Sequence, residues 1–303
     1  MASSIPASAA EEPVRARSAG AAGAREVRRL LASLARTKTG AIGLTLGALV
    51  AMGALLAPLL APADPLAMSP RRLGLPSAAA WLGTDQFGRD LLSRLLFGAR
   101  SSLIVSLSAV TLAAGVGGTV GLVAGYFEGR LDHLLMRAVD VLMAFPTLLL
   151  ALAVVATLGA SVPNLIAAIT LAYIPIFSRI VRGSVLSTKQ NDFVQASRAL
   201  GARDARIMAR EILPNVLAPV VVQATFNLST AIMIEAALSF LGLGVQPPTP
   251  SWGTMLSEAR NFMELDPWLA VAPGTAITIA VLGFNLFGDG LRDALDPRLR
   301  GIG

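Results

Sequence analysis

Six apolar stretches, each about as long as a helix needs to cross a bilayer, decide what this chain can fold into. A hydrocarbon core roughly 30 Å thick takes about 20 residues of helix. Residues 41–62, 103–127, 136–158, 162–180, 217–243 and 269–287 each supply such a run. Soluble domains carry about 25% charged residues, whereas here 15% of 303 residues are charged and 54% are hydrophobic. The chain is therefore expected to be an all-α polytopic membrane protein with six transmembrane helices. The third run begins near Asp140 and contains Pro146, the fourth contains Pro175 and the fifth Pro219. Proline is tolerated in such helices where neighbours satisfy the freed carbonyl.

The same composition closes off several chemistries. There is no cysteine, a single histidine (His133) and only two lysines, Lys38 and Lys189. Disulfides, thiolate metal sites and most histidine-based catalysis are excluded. Neither lysine lies in a Gly-x-x-x-x-Gly-Lys-Ser/Thr loop, so the chain has no phosphate-binding loop of that kind. No catalytic residue, metal or cofactor is expected. The net charge of +6 invites a nucleic-acid reading, but the arginines cluster beside apolar spans, which fits membrane topology better. An intramembrane hydrolase would need paired acids at mid-bilayer. Gly288-Asp289-Gly290 has the wrong order for the Gly-x-Gly-Asp of such enzymes, and Asp140 lies near a span end. A channel or secondary transporter is disfavoured by the lack of an inverted repeat and by sparse membrane acids.

Lysine and arginine near span ends set orientation. They gather before the first span (Arg15, Arg17, Arg25, Arg28, Arg29, Arg36, Lys38), between the fourth and fifth (Arg182, Lys189, Arg198, Arg203, Arg206, Arg210) and at the end (Arg292, Arg298, Arg300). With six spans these lie on one side, so both termini are expected in the cytoplasm; the five arginines of segment 63–101 are the discordant evidence. Trp81, Trp252 and Trp268 then fall on the outer side as interfacial aromatics. The expected organisation is a mostly disordered basic tail at 1–38, without a cleaved signal peptide, and a first span at 39–62. An external segment with an interfacial helix follows at 63–101. The core of five spans covers 102–289, with a cytoplasmic loop at 183–213 and an external loop at 244–268, and the cytoplasmic end is 290–303. In 83–100, Leu91, Leu92, Leu95 and Leu96 would form the apolar face of the interfacial helix, opposite Arg89, Arg94 and Arg100.

The cytoplasmic loop holds "QASRALGARDARIMAREILPN", residues 195–215. Phe193, Ala196, Ala199 and Leu200 have the spacing of one helix face. Gly201 permits a left-handed cap, and Asp204 suits the N-cap of a second helix with an apolar face of Ile207, Met208, Ile212 and Leu213. Pro214 suits the first turn of the next span. The pattern predicts helix, glycine corner, helix; it serves either as a solvated connection or as a rigid surface for another protein, with small Ala196, Ser197 and Ala199 allowing close approach.

Three further features carry alternatives. Gly117, Gly121 and Gly125 are four apart, a spacing that lets helices approach closely, within this subunit or against another. Glu235, with Gln223, Asn227 and Thr230 on nearby turns, is an intramembrane polar group that either lines a pathway or staples the fifth span to its neighbours. Val245–Trp252, with Pro247, Pro248 and Pro250, cannot be regular helix and is expected to be an extended outer loop.

The 195–215 stretch resembles the "EAA" loop of bacterial ABC-importer permeases, Glu-Ala-Ala, Gly and Ile-x-Leu-Pro. Here it reads Gln195-Ala196-Ser197, Gly201 and Ile212-Leu213-Pro214. "GTDQFGRDLLSRLLFGARSSL" (83–103), "EAALSFLGLGVQPPTPSWGTML" (235–256) and "FNLFGDGLRDALDPRLR" (284–300) are similar to the C-type permease of the dipeptide/oligopeptide/nickel branch. The resemblance implies a type I importer fold in a bacterial inner membrane, in which the loop is a coupling helix. Gln195, Ala196, Ser197, Arg198, Ala199, Leu200, Gly201, Asp204, Leu213 and Pro214 would then meet a cytoplasmic ATPase. It further implies a B-type permease as heterodimer partner, two ATPases that bind Mg-ATP, and an external substrate-binding protein. The cargo it implies is a di- or oligopeptide, with nickel, glutathione or another small solute as the alternative.

Overall fold

A computed structural model describes residues 34–35 and 37–295. The expected tail at 1–38 falls almost wholly outside these residues, as do positions 296–303 of the C-terminus. The described residues are helical, with two isolated β-bridges and no strand. The long helices are α1 (Lys38–Leu55), α2 (Leu91–Phe127), α5 (Val162–Thr188), α7 (Leu213–Phe240) and α9 (Trp268–Leu295). Shorter ones are α3 (Gly129–Met143), α4 (Thr147–Leu158), α6 (Asp192–Ala199) and α8 (Trp252–Ala259). Helices α1, α2, α5, α7 (with its N-terminal extension from Asp204) and α9 are long and apolar enough to cross a membrane; α3 and α4 make a sixth candidate only as a bent pair.

The caps are those the sequence supplies. Asp90 accepts from the Ser93 amide at 2.7 Å and starts α2. Ser161 accepts from the Asn164 amide at 3.3 Å and starts α5. Ser251 and Thr254 form a reciprocal capping box on α8. Helices α5, α7 and α9 continue through Pro175, Pro219 and Pro273.

Helix α2 is the spine, and its most extensive contact is with α5. A Cβ on Gly117 would lie 2.5 Å from the Ile174 carbonyl oxygen, and one on Gly121 would overlap that of Ser178. The glycine stripe is therefore consumed within this subunit, backbone against backbone. One core combines Val105 and Ala109 of α2, Val155 of α4, Ile169 and Phe177 of α5, and Leu238 of α7. A second joins Val50 of α1, Leu91, Trp252 and Leu269.

Four expectations are corrected. The third span is not one helix over 136–158: α3 and α4 meet at 88°. Pro146 lacks an amide hydrogen and pushes the residue before it out of helical geometry, and its own ψ is 132°. The interfacial helix at 83–100 does not exist as a separate element, because α2 runs unbroken for 37 residues from Leu91. Nor do Arg89 and Arg94 face headgroups. They are 4% and 1% exposed, and Glu258 accepts from Arg89 at 3.0 Å and from Arg94 at 2.9 Å. Asp85 lies 2.5 Å from Arg89 and 3.3 Å from Arg94. This four-charge cluster ties the segment before α2 to α8. The 244–268 region, finally, is not a plain outer loop: the proline run leads into α8, whose Trp252 is 2% exposed and donates its ring N–H to the Leu95 carbonyl at 3.1 Å. Trp252 is thus a core residue, while Trp81 and Trp268 are exposed.

Candidate coupling site

Helix α5 continues to Thr188, eight residues past its expected end, and the chain turns at Lys189 into α6. The end of α6 is closed by two bonds: the Gly201 amide donates to Arg198 O at 2.9 Å and the Ala202 amide to Ser197 O at 3.1 Å. This paired closure needs a left-handed residue, and Gly201 has φ +79°. Among the described residues, apart from its chain neighbours, nothing lies within 4 Å of where its Cβ would be. The dihedral alone, not crowding, calls for glycine there.

Helix α6 has two faces. Val194 is fully buried, in a cluster with Tyr126, Val185, Ile207, Ile212 and Val216. Phe193, Gln195, Ala196, Arg198, Ala199 and Leu200 are exposed, Leu200 at 88%, and Ser197 is half-buried. The residues predicted to share a face do share one, and it points away from the bundle. Gln195 donates to the Lys189 carbonyl at 3.0 Å, which holds α6 against the end of α5.

Beyond the corner, the second helix is the lower end of α7. Asp204–Arg206 leads into a π-helical stretch, Ile207–Ile212, and then α7 without interruption. The Leu213 amide donates to Met208 O, five residues back. This wide turn precedes Pro214, where a normal turn would meet a missing donor and a ring clash. Leu213 and Pro214 occupy the first turn of α7, as expected. The glycine corner therefore leads directly into the fifth span through one continuous helix, Asp204–Phe240.

Asp204 is a correction. The N-cap position is taken by Arg203, with φ −67° and ψ 146°, and Asp204 is the first helical residue. Its carboxylate instead accepts from the Tyr126 hydroxyl at 2.5 Å. It still favours the helix N-terminus by its charge.

Tyr126, at the end of α2, is the residue sequence reasoning missed. Its hydroxyl bonds Asp204, and the Arg198 guanidinium donates to it at 3.4 Å. That hydrogen bond holds the Arg198 pKa above its ordinary value. Lys189 donates to Tyr126 O at 2.6 Å and pairs with Glu128 at 2.7 Å. Both cations sit over the ring, 5.5 and 5.6 Å from its centroid. One aromatic thus joins the end of α2, the turn after α5, α6 and the extension of α7. The only sequence signal was a tyrosine one residue past the glycine stripe.

The polar residues of α7 divide. Gln223 donates to Asn227 at 2.9 Å; Gln223 is half-buried and Asn227 is buried. Glu235 is fully buried and accepts from Ser239, one turn along the same helix, at 2.7 Å, while its other carboxyl oxygen has no hydrogen-bond partner among the described residues. Its one hydrogen bond stays within α7, so no staple to a neighbouring helix is formed through it in this conformation.

A bundle of membrane-length helices presenting a rigid polar corner outside the bundle has the build of a transport permease. Residues 117–301 match the family described as "Binding-protein-dependent transport system inner membrane component", and the chain belongs to that family. It is 47% identical over 268 residues to the dipeptide transport system permease protein DppC of Alkalihalophilus pseudofirmus, covering 88% of each chain. It is 46% identical over 275 residues to the di/tripeptide transport system permease protein DppC of Pseudomonas aeruginosa, covering 88% of this chain and 91% of the relative. To the glutathione transport system permease protein GsiD of Escherichia coli it is 51% identical over 226 residues, covering 75% of each. The chain is thus a multi-pass permease component of a bacterial ABC transport system.

Proposed function

We propose that this chain is the C-type permease of an ABC importer for di- and oligopeptides. It supplies half of the translocation pathway and receives force through α6 and its glycine corner. The observation that carries the coupling role is the exposed face of Ala196, Ala199 and Leu200 on a helix whose other face is locked to α2, α5 and α7. Small side chains there admit a second surface, and the continuous rod from Asp204 to Phe240 transmits displacement into the membrane. ATP is hydrolysed by two partner ATPases, which bind Mg-ATP; the chain's lack of a phosphate-binding loop supports that division. A B-type permease completes the pathway and an external binding protein delivers cargo. Gln223, Asn227 and Glu235 are the candidate lining residues. The basic residues around the corner support a cytoplasmic placement for it and for both termini.

The peptide cargo rests on the two DppC relatives. The GsiD relatives support a second reading, glutathione, itself a tripeptide. Uptake of a radiolabelled dipeptide by cells carrying the complete transporter, with unlabelled dipeptide or glutathione as competitor, separates the two. Competition by dipeptides at concentrations where glutathione has no effect is the expected result. The reverse order would assign glutathione, and competition by neither would refute a peptide importer.

A further inference from the structure

Helix α3 carries an apolar stripe that none of the described residues covers. Leu131, Leu134, Ala138 and Val141 follow helical spacing and are exposed, Leu134 at 70% and Val141 at 63%. Leu135 and Leu142, half-buried, fall on the same stripe. The opposite face is engaged: Val139 and Asp132 are buried, Asp132 receives two bonds from Arg182 at 2.6 Å, and Asp140 receives Arg179 at 2.6 Å. Arg130, His133 and Arg137 line one edge of the apolar stripe and are exposed. Among the described residues, neither Arg130 nor Arg137 has an ion-pair partner.

The ion pairs fix the depth of α3. Arg179 lies 17 residues into α5, about 25 Å from its start at 1.5 Å per residue, and Arg182 about 30 Å. Those depths match the far edge of a hydrocarbon core that α5 enters at Val162. Helix α3 therefore lies at headgroup level, on the side of the coupling corner. Its 88° break from α4 sets it at a right angle to that apolar helix. An apolar stripe bordered by cations at headgroup depth is the pattern of a helix seated in the membrane surface.

We propose that α3 is a binding surface for anionic phospholipid in the leaflet on the side of the corner. Leu131, Leu134 and Val141 contact acyl chains, and Arg130 and Arg137 contact the phosphate headgroup. The bilayer is the occupant because the stripe is continuous with it and the edge charges complement an acidic headgroup. The same helix is ion-paired to the end of α5, so the lipid contact bears on the base that supports α6.

The test is Leu134→Cys in the complete transporter, labelled with bimane. The chain has no cysteine of its own, and the unsubstituted transporter gives the blank. Vesicles contain equal phosphatidylglycerol and phosphatidylcholine, with brominated acyl chains on one lipid or the other. Quenching by brominated phosphatidylglycerol in strong preference is expected, reflecting up to roughly thirtyfold local enrichment from two arginines. The preference should vanish in Arg130→Ala/Arg137→Ala at unchanged membrane abundance. Equal quenching by both lipids would remove the anionic site. An unquenched label, whether water-exposed or covered by another subunit, would overturn the lipid contact altogether.

Discussion

Replacing Gly201 isolates the contribution of the corner from everything around it. Its φ of +79° costs a residue with a Cβ roughly 1–2 kcal/mol, and a β-branched side chain pays more. Among the described residues, apart from its chain neighbours, no atom lies within 4 Å of the Cβ position, so the penalty falls on the dihedral. The two closing bonds at Ala202 and Gly201 hold only if that dihedral is kept. A loss of 1–2 kcal/mol lowers the ratio of intact to broken corner roughly 5- to 30-fold. Gly201→Val should therefore leave membrane abundance unchanged while weakening co-purification of the ATPases and reducing uptake by up to that factor. Gly201→Asn should be milder, because asparagine tolerates the left-handed region. The assay is cargo uptake and ATPase pull-down, normalised to the permease in the membrane. Full uptake by Gly201→Val at normal abundance would show that the corner geometry does not carry coupling.

Tyr126→Phe keeps the ring and removes the hydroxyl that bonds Asp204 and Arg198. A hydrogen bond to a charged group contributes roughly 1.5–3 kcal/mol, so α6 should loosen and ATP hydrolysed per cargo molecule should rise; an unchanged ratio would sink the hub assignment. On the opposite end, Glu258→Ala leaves Arg89 and Arg94 buried beside Asp85 alone. Breaking such a pair costs about 3 kcal/mol, expected as a clear drop in the melting temperature of the purified complex, and an unshifted melt would deny that the cluster holds α8 in place.

Much of this fold was legible because membrane helices announce themselves by length and composition. The glycine stripe and the Gly201 corner were also legible, since both depend on what a missing side chain permits locally. The errors share a different cause. Arg89 and Arg94 sit among leucines as they would in a surface helix, and their burial depends on Glu258, more than 160 residues away. Trp252 follows a proline run that suggests an exposed loop, but the Ser251 cap and the Leu95 carbonyl draw it inward. Asp204 had the sequence of an N-cap, and a tyrosine from another helix claimed its carboxylate. The bend at Pro146 was not legible, because proline in a membrane helix can also be accommodated, as at Pro175 and Pro219.

The central claim is that the exposed face of α6 is the docking surface for a separate motor. A photo-crosslinker installed at Ala199, on that face, tests it in the assembled transporter in native membranes. The account predicts a single product joining this chain to an ATPase subunit, formed from Ala199 but not from buried Val194 five residues earlier. A transport-competent complex in which Ala199 yields no ATPase adduct would contradict it.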